Sequence, residues 1–496
     1  MTNDLCVGIS GARRDACVAV WGSGNIRGVC PQERVTRFPR VGVLTSGFPQ
    51  AAFAAIAPET LTHSADQWRC ATAEEAILPF LPRESELADH HEAHAALALA
   101  HVPEGTNALA CVCDRHEKAE VSFWERRGTR LRPLQSWSGP GFATALVRAA
   151  TALGFTAERI SRFEALARIA PPSTRIDLTK LIHLDGDGVV IDDRLEREIA
   201  DAARPLDTFG KASVASAVQG HLKNLLLQSL ASVRSSNVDA VALGGGLFHN
   251  TAFCTGVATS KLFHTVAVPV DPGNGGLAAG TLLRVFGANG LTEPFLGPAI
   301  DDQTTKAVLD NCKLSYDYVP GDALLDATVK ALRQGLLVGR ADGPMEWGRR
   351  ALGNRSIFAD PFAPFVLENL NRFLKQREPY VSYGLATCEE DIDRYFLEAQ
   401  SSPLMQFEFE LREPAAFGEF LPTRATRVRV QTVPPGDGWL RRLLEAFGAS
   451  GRPRLLVNTS FNGWREPIVC TARDAVRVFY STGMDVLLVG NFILRK

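Results

Sequence analysis

Twice in this chain an apolar strand runs into a glycine-rich turn and then into a chain segment with helical spacing. Val238-Asp239-Ala240-Val241-Ala242-Leu243 leads into Gly244-Gly245-Gly246. The run Thr265 to Val270 leads into Asp271-Pro272-Gly273-Asn274-Gly275-Gly276, ahead of a helix from about Leu277 to Phe286. Strands that alternate with helices call for a layered α/β fold, because an apolar strand must be covered on its faces. Glycines at the strand ends leave backbone N–H groups open to an anion, since no Cβ stands in the way. A bare triple glycine is more often a plain tight turn. The Asp271–Gly276 turn is the better phosphate-facing candidate, because it opens a helix whose N-terminal dipole favours negative charge.

The rest of the chain extends this pattern. Residues 5–10 and Ala16 to Trp21 form a hairpin-like opening around Gly11. An Ala/Leu-rich helix is expected over 91–101, a buried strand over 108–113, a helix over 141–154 ended by Gly154, and a longer helix from Ser213 to Val233. From Gly287 to Thr304 the periodicity lapses amid glycine, proline and acidic residues, which reads as a boundary. A chain of 496 residues exceeds one ordinary core. Two domains, 1–300 and 301–496, are therefore expected. The second has a helix near 323–334, strands at 336–338, 454–457 and 486–489, and a helix at about 472–482.

Composition narrows the function classes. With 46% apolar residues, 22% charged residues and a net charge of −2, nothing argues for a nucleic-acid or membrane surface. No stretch of about 18 apolar residues is present to span a bilayer. The start Met1-Thr2-Asn3-Asp4 shows no basic leader ahead of an apolar run. The ten cysteines form no CxxC pair and read as small buried hydrophobes of a reducing compartment, so the cytoplasm is the expected location. All ten histidines lie at or before His264. Imidazole or metal chemistry therefore belongs to the N-terminal part, and the C-terminal part must work with Arg, Lys, carboxylates and backbone donors.

The densest histidine stretch is Asp89-His90-His91-Glu92-Ala93-His94. Residues four apart share a helix face, with Cβ atoms roughly 5–6 Å apart, so His90 and His94 can meet one metal ion. Asp114, at the end of the apolar run Ala108 to Cys113, adds a carboxylate. Two imidazoles and a carboxylate with open positions suit iron or zinc. The competing reading is that these histidines cap a helix and hydrogen-bond at a surface. A zinc protease is not expected, because His91-Glu92-Ala93-His94 is one residue short of His-Glu-x-x-His.

In the second half, Met345-Glu346-Trp347-Gly348-Arg349-Arg350-Ala351-Leu352-Gly353-Asn354-Arg355-Ser356 packs three arginines beside two glycines. Guanidinium forks bind phosphate through bidentate, charge-assisted bonds. A solvated basic surface is the alternative, but apolar residues threaded through the stretch argue for anion binding. Lys375, Arg377 and Arg429 follow. Asn458-Thr459-Ser460-Phe461-Asn462, directly after an apolar strand, offers a polar site, although Asn and Ser also simply cap turns.

In this order the pieces resemble the O-carbamoyltransferase family of nodulation-factor and antibiotic biosynthesis, over nearly the whole chain. The matching segments are His90–Ala95 with Asp114, Gly245–Asn250, Gly275–Gly280, Met345–Asp360, Lys375–Pro379, Arg429–Val433, and Asn458–Asn462 with Glu466–Val469. The resemblance implies an actin-like ATPase-type N-terminal domain joined to a YrdC-like α/β C-terminal domain. It implies an enzyme that makes a carbamoyl adenylate from carbamoyl phosphate and ATP (with magnesium) and passes the carbamoyl group to a hydroxyl of a small secondary metabolite. It further implies a divalent metal, iron in such enzymes, on His90, His94, Asp114 and the position of Asn274. Arg350, Lys375, Arg429 and His91 would be catalytic. Gly245, Gly246, Asn250, Gly275, Arg355, Asn458, Ser460 and Asn462 would bind nucleotide or donor. A homodimer is the family-level expectation. The remaining alternatives are a same-fold enzyme handling another small acyl group and a non-catalytic, partner-dependent paralogue.

Several positions depart from the family pattern. Arg14-Asp15 stands where His-Asp is usual, so a guanidinium that cannot act as a base replaces an imidazole that can. Asn274 stands where an Asp ligand is usual, which removes one negative charge; Asp271 is three residues away. Arg115–Lys118, Val381–Leu385 and Thr423–Arg427 also differ from the usual motifs.

Overall fold

The computed structural model describes residues 5–496 except 59–67, 83, 129, 187, 205–206, 288–292 and 423. Thr423 and the middle of the expected boundary at 287–304 therefore lie outside the described residues.

The N-terminal half contains one topology twice. The strands β1 (Cys6–Ser10), β2 (Cys17–Gly22), β3 (Asn25–Pro31), β4 (Arg69–Thr72) and β5 (Glu86–Leu87) form a sheet in the order β3-β2-β1-β4-β5. After helix α1 (His90–Leu99) come β6 (Ala108–Cys113), β7 (Val121–Arg127) and β8 (Arg130–Trp137). Helices α2 (Ile160–Ala167) and α3 (Thr208–Val233) then precede β9 (Ala240–Gly244), α4 (Thr251–Thr259), β10 (Thr265–Ala267) and α5 (Asn274–Phe286). The second sheet reads β8-β7-β6-β9-β10. In each sheet the first three strands are antiparallel neighbours, and the last two join the first strand in parallel. This duplicated five-stranded α/β unit is the actin-like ATPase architecture.

Helices α1 and α5 fill the space around the two sheets. A Cβ placed on Gly280 of α5 would lie 2.3 Å from the Ala93 carbonyl of α1, and one on Gly8 of β1 would lie 2.2 Å from the Ala278 carbonyl. Such close approach explains why α1 is made of alanine and leucine and is buried on nearly every side. Asp89 caps α1 by accepting from the Glu92 N–H at 2.9 Å. The helix thereby begins at His90, one residue ahead of the expected start.

Past 300 the chain builds a ten-stranded mixed sheet. Its centre is β11 (Val338–Ala341), β12 (Arg355–Ala359), β13 (Gly384–Cys388), β14 (Phe407–Leu411), β15 (Arg427–Val433) and β16 (Leu455–Ser460). β17 (Val486–Val489) and β18 (Phe492–Arg495) continue it beyond β11. The helices Asp322–Arg333, Trp439–Ala449 and Ala472–Ser481 match the expected ones where these were named. The expected strand 336–338 begins instead at Val338, since Gly335 sits at φ 75° and the chain is still turning. β16 runs three residues beyond Val457, so Asn458 and Ser460 sit within a strand and share a face.

The stretch 345–355 lies at the seam between the two halves. Arg34 donates to the Gly348 carbonyl at 2.9 Å, and a Cβ on Gly348 would lie 2.3 Å from the Val270 carbonyl. Arg37 donates to the carbonyls of Pro467 and Ile468 at 2.7 and 2.6 Å.

Candidate functional site

At the carboxyl ends of the parallel strands β6 and β9, Asp114 and the Gly245–Gly246 turn stand side by side. This is where open parallel sheets place ligands. Asp114 Oδ2 is 3.1 Å from His90 Nε2 and 3.5 Å from His94 Nε2, while its Oδ1 accepts from the Gly246 N–H at 2.8 Å. One ligand atom from each of the three residues lies within 4.8 Å of the others. Burial pushes the Asp114 carboxyl up, but hydrogen bonds from His90 and His94 outweigh it and hold the group well below its ordinary value. The Nδ1 atoms of both histidines are buried and have no partner among the described residues. The donor set thus fits a divalent metal.

His91, on the neighbouring face of α1, is placed differently. Its Nδ1 meets the Ser122 hydroxyl at 2.7 Å and its Nε2 donates to the Asp114 carbonyl at 3.1 Å. Burial, then the neighbouring His94 and His90, lower its pKa to about 4, so the ring is neutral and both nitrogens are engaged. It braces the loop that carries Asp114. Asn274 begins α5, and its side-chain oxygen is buried with no partner among the described residues. Close by, Asp271 accepts from the Gly273 N–H at 3.0 Å and faces His249 Nε2 at 3.3 Å.

The glycine turns are closely packed. Gly245 has φ 95°, and a Cβ there would sit 2.3 Å from the Cys113 carbonyl. On Gly246 it would meet Asp114 Oδ1 at 2.9 Å, and on Gly275 Asp271 Oδ2 at 2.5 Å. The space freed by the missing side chains is filled by this protein's own loops. Asn250, expected at a cofactor, caps α4: its Oδ1 accepts from Ala252 and its Nδ2 donates to Gln219 at 3.0 Å. Both ends of the amide are used within the protein.

The three clustered arginines have three separate fates. Arg349 donates to the Asp15 carboxylate at 3.2 Å. Arg350 donates to the His249 carbonyl at 2.8 Å. Arg355, expected to hold phosphate, is fully buried and gives its N–H groups to the carbonyls of Pro298, Asp342, Gly343, Asn354 and Cys470. With five carbonyls around it, that fork is not open to a ligand.

Arg350 and Arg429 lie within each other's field, and Asn458 is bonded to the loop that follows Arg350. Arg429 lies 3.7 Å from Glu164 Oε1, and its Nε is buried with no partner among the described residues. Burial, then the charge of Arg350, bring its pKa down to about 9. Asn458 Nδ2 donates to Gln431 Oε1 at 2.6 Å and to the Ala351 carbonyl at 3.2 Å, and Gln431 donates to the Leu352 carbonyl at 2.9 Å. These bonds fix the 350–352 loop over the sheet. Lys375 is 2% exposed and donates to the Ser460 carbonyl and, at 2.7 Å, to Asn462 Oδ1. Among the described residues its hydrogen-bond partners are all neutral groups of Ser460 and Asn462, and burial lowers its pKa strongly.

A buried ion network absent from the sequence reading adjoins Arg350 and Arg429. Arg168 bridges Glu164 and, at 2.6 Å, Glu408; Thr251 Oγ1 donates to the same Glu408 oxygen at 2.6 Å. The network joins α2 and α4 of the N-terminal half to β14 of the C-terminal half. Its one sequence signal is the i, i+4 spacing of Glu164 and Arg168.

Residues 329–496 match the model of the family described as Carbamoyltransferase C-terminus. The Nodulation protein NolO of Bradyrhizobium diazoefficiens is 29% identical over 57% of this chain and 54% of its own length. The 3'-hydroxymethylcephem-O-carbamoyltransferase of Amycolatopsis lactamdurans is 34% identical over 32% of this chain and 31% of its own. An uncharacterised Synechocystis protein is 27% identical over 82% of this chain and 76% of its own. The matches therefore span about half or less of the two named relatives. Among solved structures, the activator of a 2-hydroxyisocaproyl-CoA dehydratase from Clostridium difficile superposes with TM-score 0.38 at 9% identity, covering 57% of this chain and 94% of that one. Full-length HypF does so at 0.37 and 12%, covering 56% and 45%. The fold and the C-terminal domain define a two-part α/β enzyme class with a duplicated actin-like half. Residues 329–496 are thus a carbamoyltransferase C-terminal domain, and over about a third of its length the chain is similar to a named O-carbamoyltransferase.

Proposed function

We propose that this chain is an ATP-dependent O-carbamoyltransferase that draws on carbamoyl phosphate. The observation that carries the reading is the pair Arg350 and Arg429, two partly buried guanidiniums beside Asn458 with an excess of positive charge. Three arginines (168, 350 and 429) meet two carboxylates (164 and 408), which leaves a charge that a phosphate would neutralise. In the first step a carbamate oxygen from carbamoyl phosphate bonds to the α-phosphorus of ATP. Orthophosphate and pyrophosphate leave, one water is consumed, and carbamoyl adenylate results. Lys375, tied to the end of β16, is placed to orient the donor.

In the second step the acceptor hydroxyl oxygen bonds to the carbamoyl carbon, AMP leaves and the hydroxyl proton passes to solvent. His90, His94 and Asp114 would hold a divalent metal, iron in this reading, which supplies Lewis-acid polarisation of the carbamoyl carbonyl when bound. Arg350 touches the His249 carbonyl, and His249 faces Asp271, so the two sites share a direct structural link. The acceptor class is a small hydroxyl-bearing metabolite. No helix among the described residues is long and apolar enough to cross a membrane. Release of pyrophosphate from ATP that requires carbamoyl phosphate tests the reading. Release independent of that donor, or no release at all, would sink it.

A further inference from the structure

At the loop before β2, three arginines share one carboxylate. Arg40 donates to both oxygens of Asp15, through Nε and Nη2, each at 3.2 Å, and Arg349 adds a third bond at 3.2 Å. Arg14 reaches the same carboxylate only at 4.0 Å. Asp15 is thus the ion-pair partner of all three arginines, with Asp271, Glu33 and Asp114 farther off in the field of Arg349. Asp15 is 13% exposed and Arg14 55%, so the carboxylate is consumed inside while the third guanidinium stays open. Asp15 and Arg40 hold φ of 59° and 57°, a left-handed conformation seldom adopted by such residues and kept only where surroundings enforce it.

The loop that carries Arg14 is tied to the start of α5, where the Ser10 hydroxyl donates to the Asn274 carbonyl at 2.8 Å. Directly after Asp114, Arg115 and His116 line a cavity of about 250 Å³ with Ser138 and Thr144. His116 stacks on His90 with ring centroids 4.3 Å apart. The carboxylate of Glu120 in that wall accepts from the Thr144 N–H and hydroxyl at 2.7 and 2.6 Å. Cationic side chains therefore flank the cluster on both the Arg14 and the Arg115 side.

We propose that Arg14 selects the acceptor, binding through its open fork a carboxylate or phosphate carried by the same molecule whose hydroxyl is carbamoylated. A guanidinium stays protonated at neutral pH, so Arg14 is a poor proton acceptor, but its planar fork matches an oxyanion. Holding the anionic end fixes where the hydroxyl sits relative to the cluster, and that is a positioning role. The inference rests on reading the cluster as the transfer site. The same chemistry suits the phosphate of an adenylate, so the test separates the two sources.

Calorimetric titration of the full chain with malonate, under saturating carbamoyl phosphate, reads the acceptor-type anion; titration with AMP reads the nucleotide. Arg14→Ala is expected to weaken malonate binding about tenfold or more, and Arg14→Lys by less, since a point charge keeps attraction but loses the bidentate geometry. AMP affinity should move less than malonate affinity. Unchanged thermal midpoints verify that both variants fold, as the exposure of Arg14 leads one to expect. Equal malonate affinity in wild type and Arg14→Ala overturns the proposal, and so does a loss confined to AMP. Pyrophosphate release reads the C-terminal chemistry separately. Its absence together with Arg14-dependent malonate binding would leave the anion site standing and remove the carbamoyl-transfer reading.

Discussion

Arg349 donates to the carboxylate of Asp15, 334 residues earlier in the chain, at 3.2 Å. The next residue, Arg350, donates to the carbonyl of His249. Two adjacent arginines thus hold the loop before β2 and the loop before α4, so the 345–355 stretch is the clasp through which the C-terminal half grips the metal-suited half.

If His90, His94 and Asp114 hold a metal, protein purified without chelator will carry iron or zinc. His94→Ala will lower the content per chain by about tenfold or more, because one of three ligands is gone. Asn274→Asp will raise retention, since an anionic oxygen replaces a neutral one in a buried place. Elemental analysis of the three proteins decides. Equal metal in wild type and His94→Ala would refute the assignment.

Arg355 and Arg429 should fail in opposite ways. Arg355→Ala strips the donor from five buried carbonyls and is expected to cost about 3 kcal/mol or more of stability. Arg429→Ala removes a guanidinium whose ion-pair contact, to Glu164 at 3.7 Å, is longer than the Arg168 bonds that hold the same carboxylate, so the fold should persist while pyrophosphate release falls by about a hundredfold. Thermal melts and turnover measured on both variants separate the roles; a folded, fully active Arg429→Ala protein would count against the anion pocket.

Acid should loosen the network between the halves. Burial alone would raise the Glu164 pKa, but Arg168, then Arg429 and Arg350, outweigh it and hold it at about 2. A carboxyl depressed on folding contributes stability that is complete above its unfolded value of 4.5. That contribution is lost as pH falls from there toward the folded value. Thermal midpoints of wild type should drop more steeply than those of Glu164→Gln between pH 5 and 3, on the order of the interval these pKa values define. Parallel curves would show that Glu164 is not the titrating group.

Arg168 and Glu408 belong to different halves and are both buried. A double-mutant cycle with Arg168→Met and Glu408→Gln should give a coupling of about 1–3 kcal/mol by chemical denaturation, as expected for contacting residues in one network. Additive effects would mean that the pair does not bind the halves together.

Much of the fold was legible in local patterns. The strands ending at Cys113, Gly244 and Val489 and the helices near 90–99 and 274–286 follow from apolar runs, glycine turns and an Asp89 cap. The antiparallel strands β7 and β8 were not, because Arg130–Trp137 is largely exposed and carries no apolar alternation. Among the site residues, His90, His94 and Asp114 come together as their spacing suggested. Asn250 and Arg355 have their polar groups engaged by a helix end and by backbone carbonyls, which their place in the sequence did not reveal.

The sequence by itself determined which side chains are available. It set an i, i+4 histidine pair, a carboxylate at a strand end, histidines confined to one half and guanidiniums concentrated in the other. Tertiary structure alone decided which guanidiniums remain open. Arg349, Arg350 and Arg355 look equivalent within seven residues of chain. They differ because one meets a carboxylate, one a single carbonyl and one five carbonyls, and an arginine's capacity to bind an anion is whatever its surroundings leave unsatisfied.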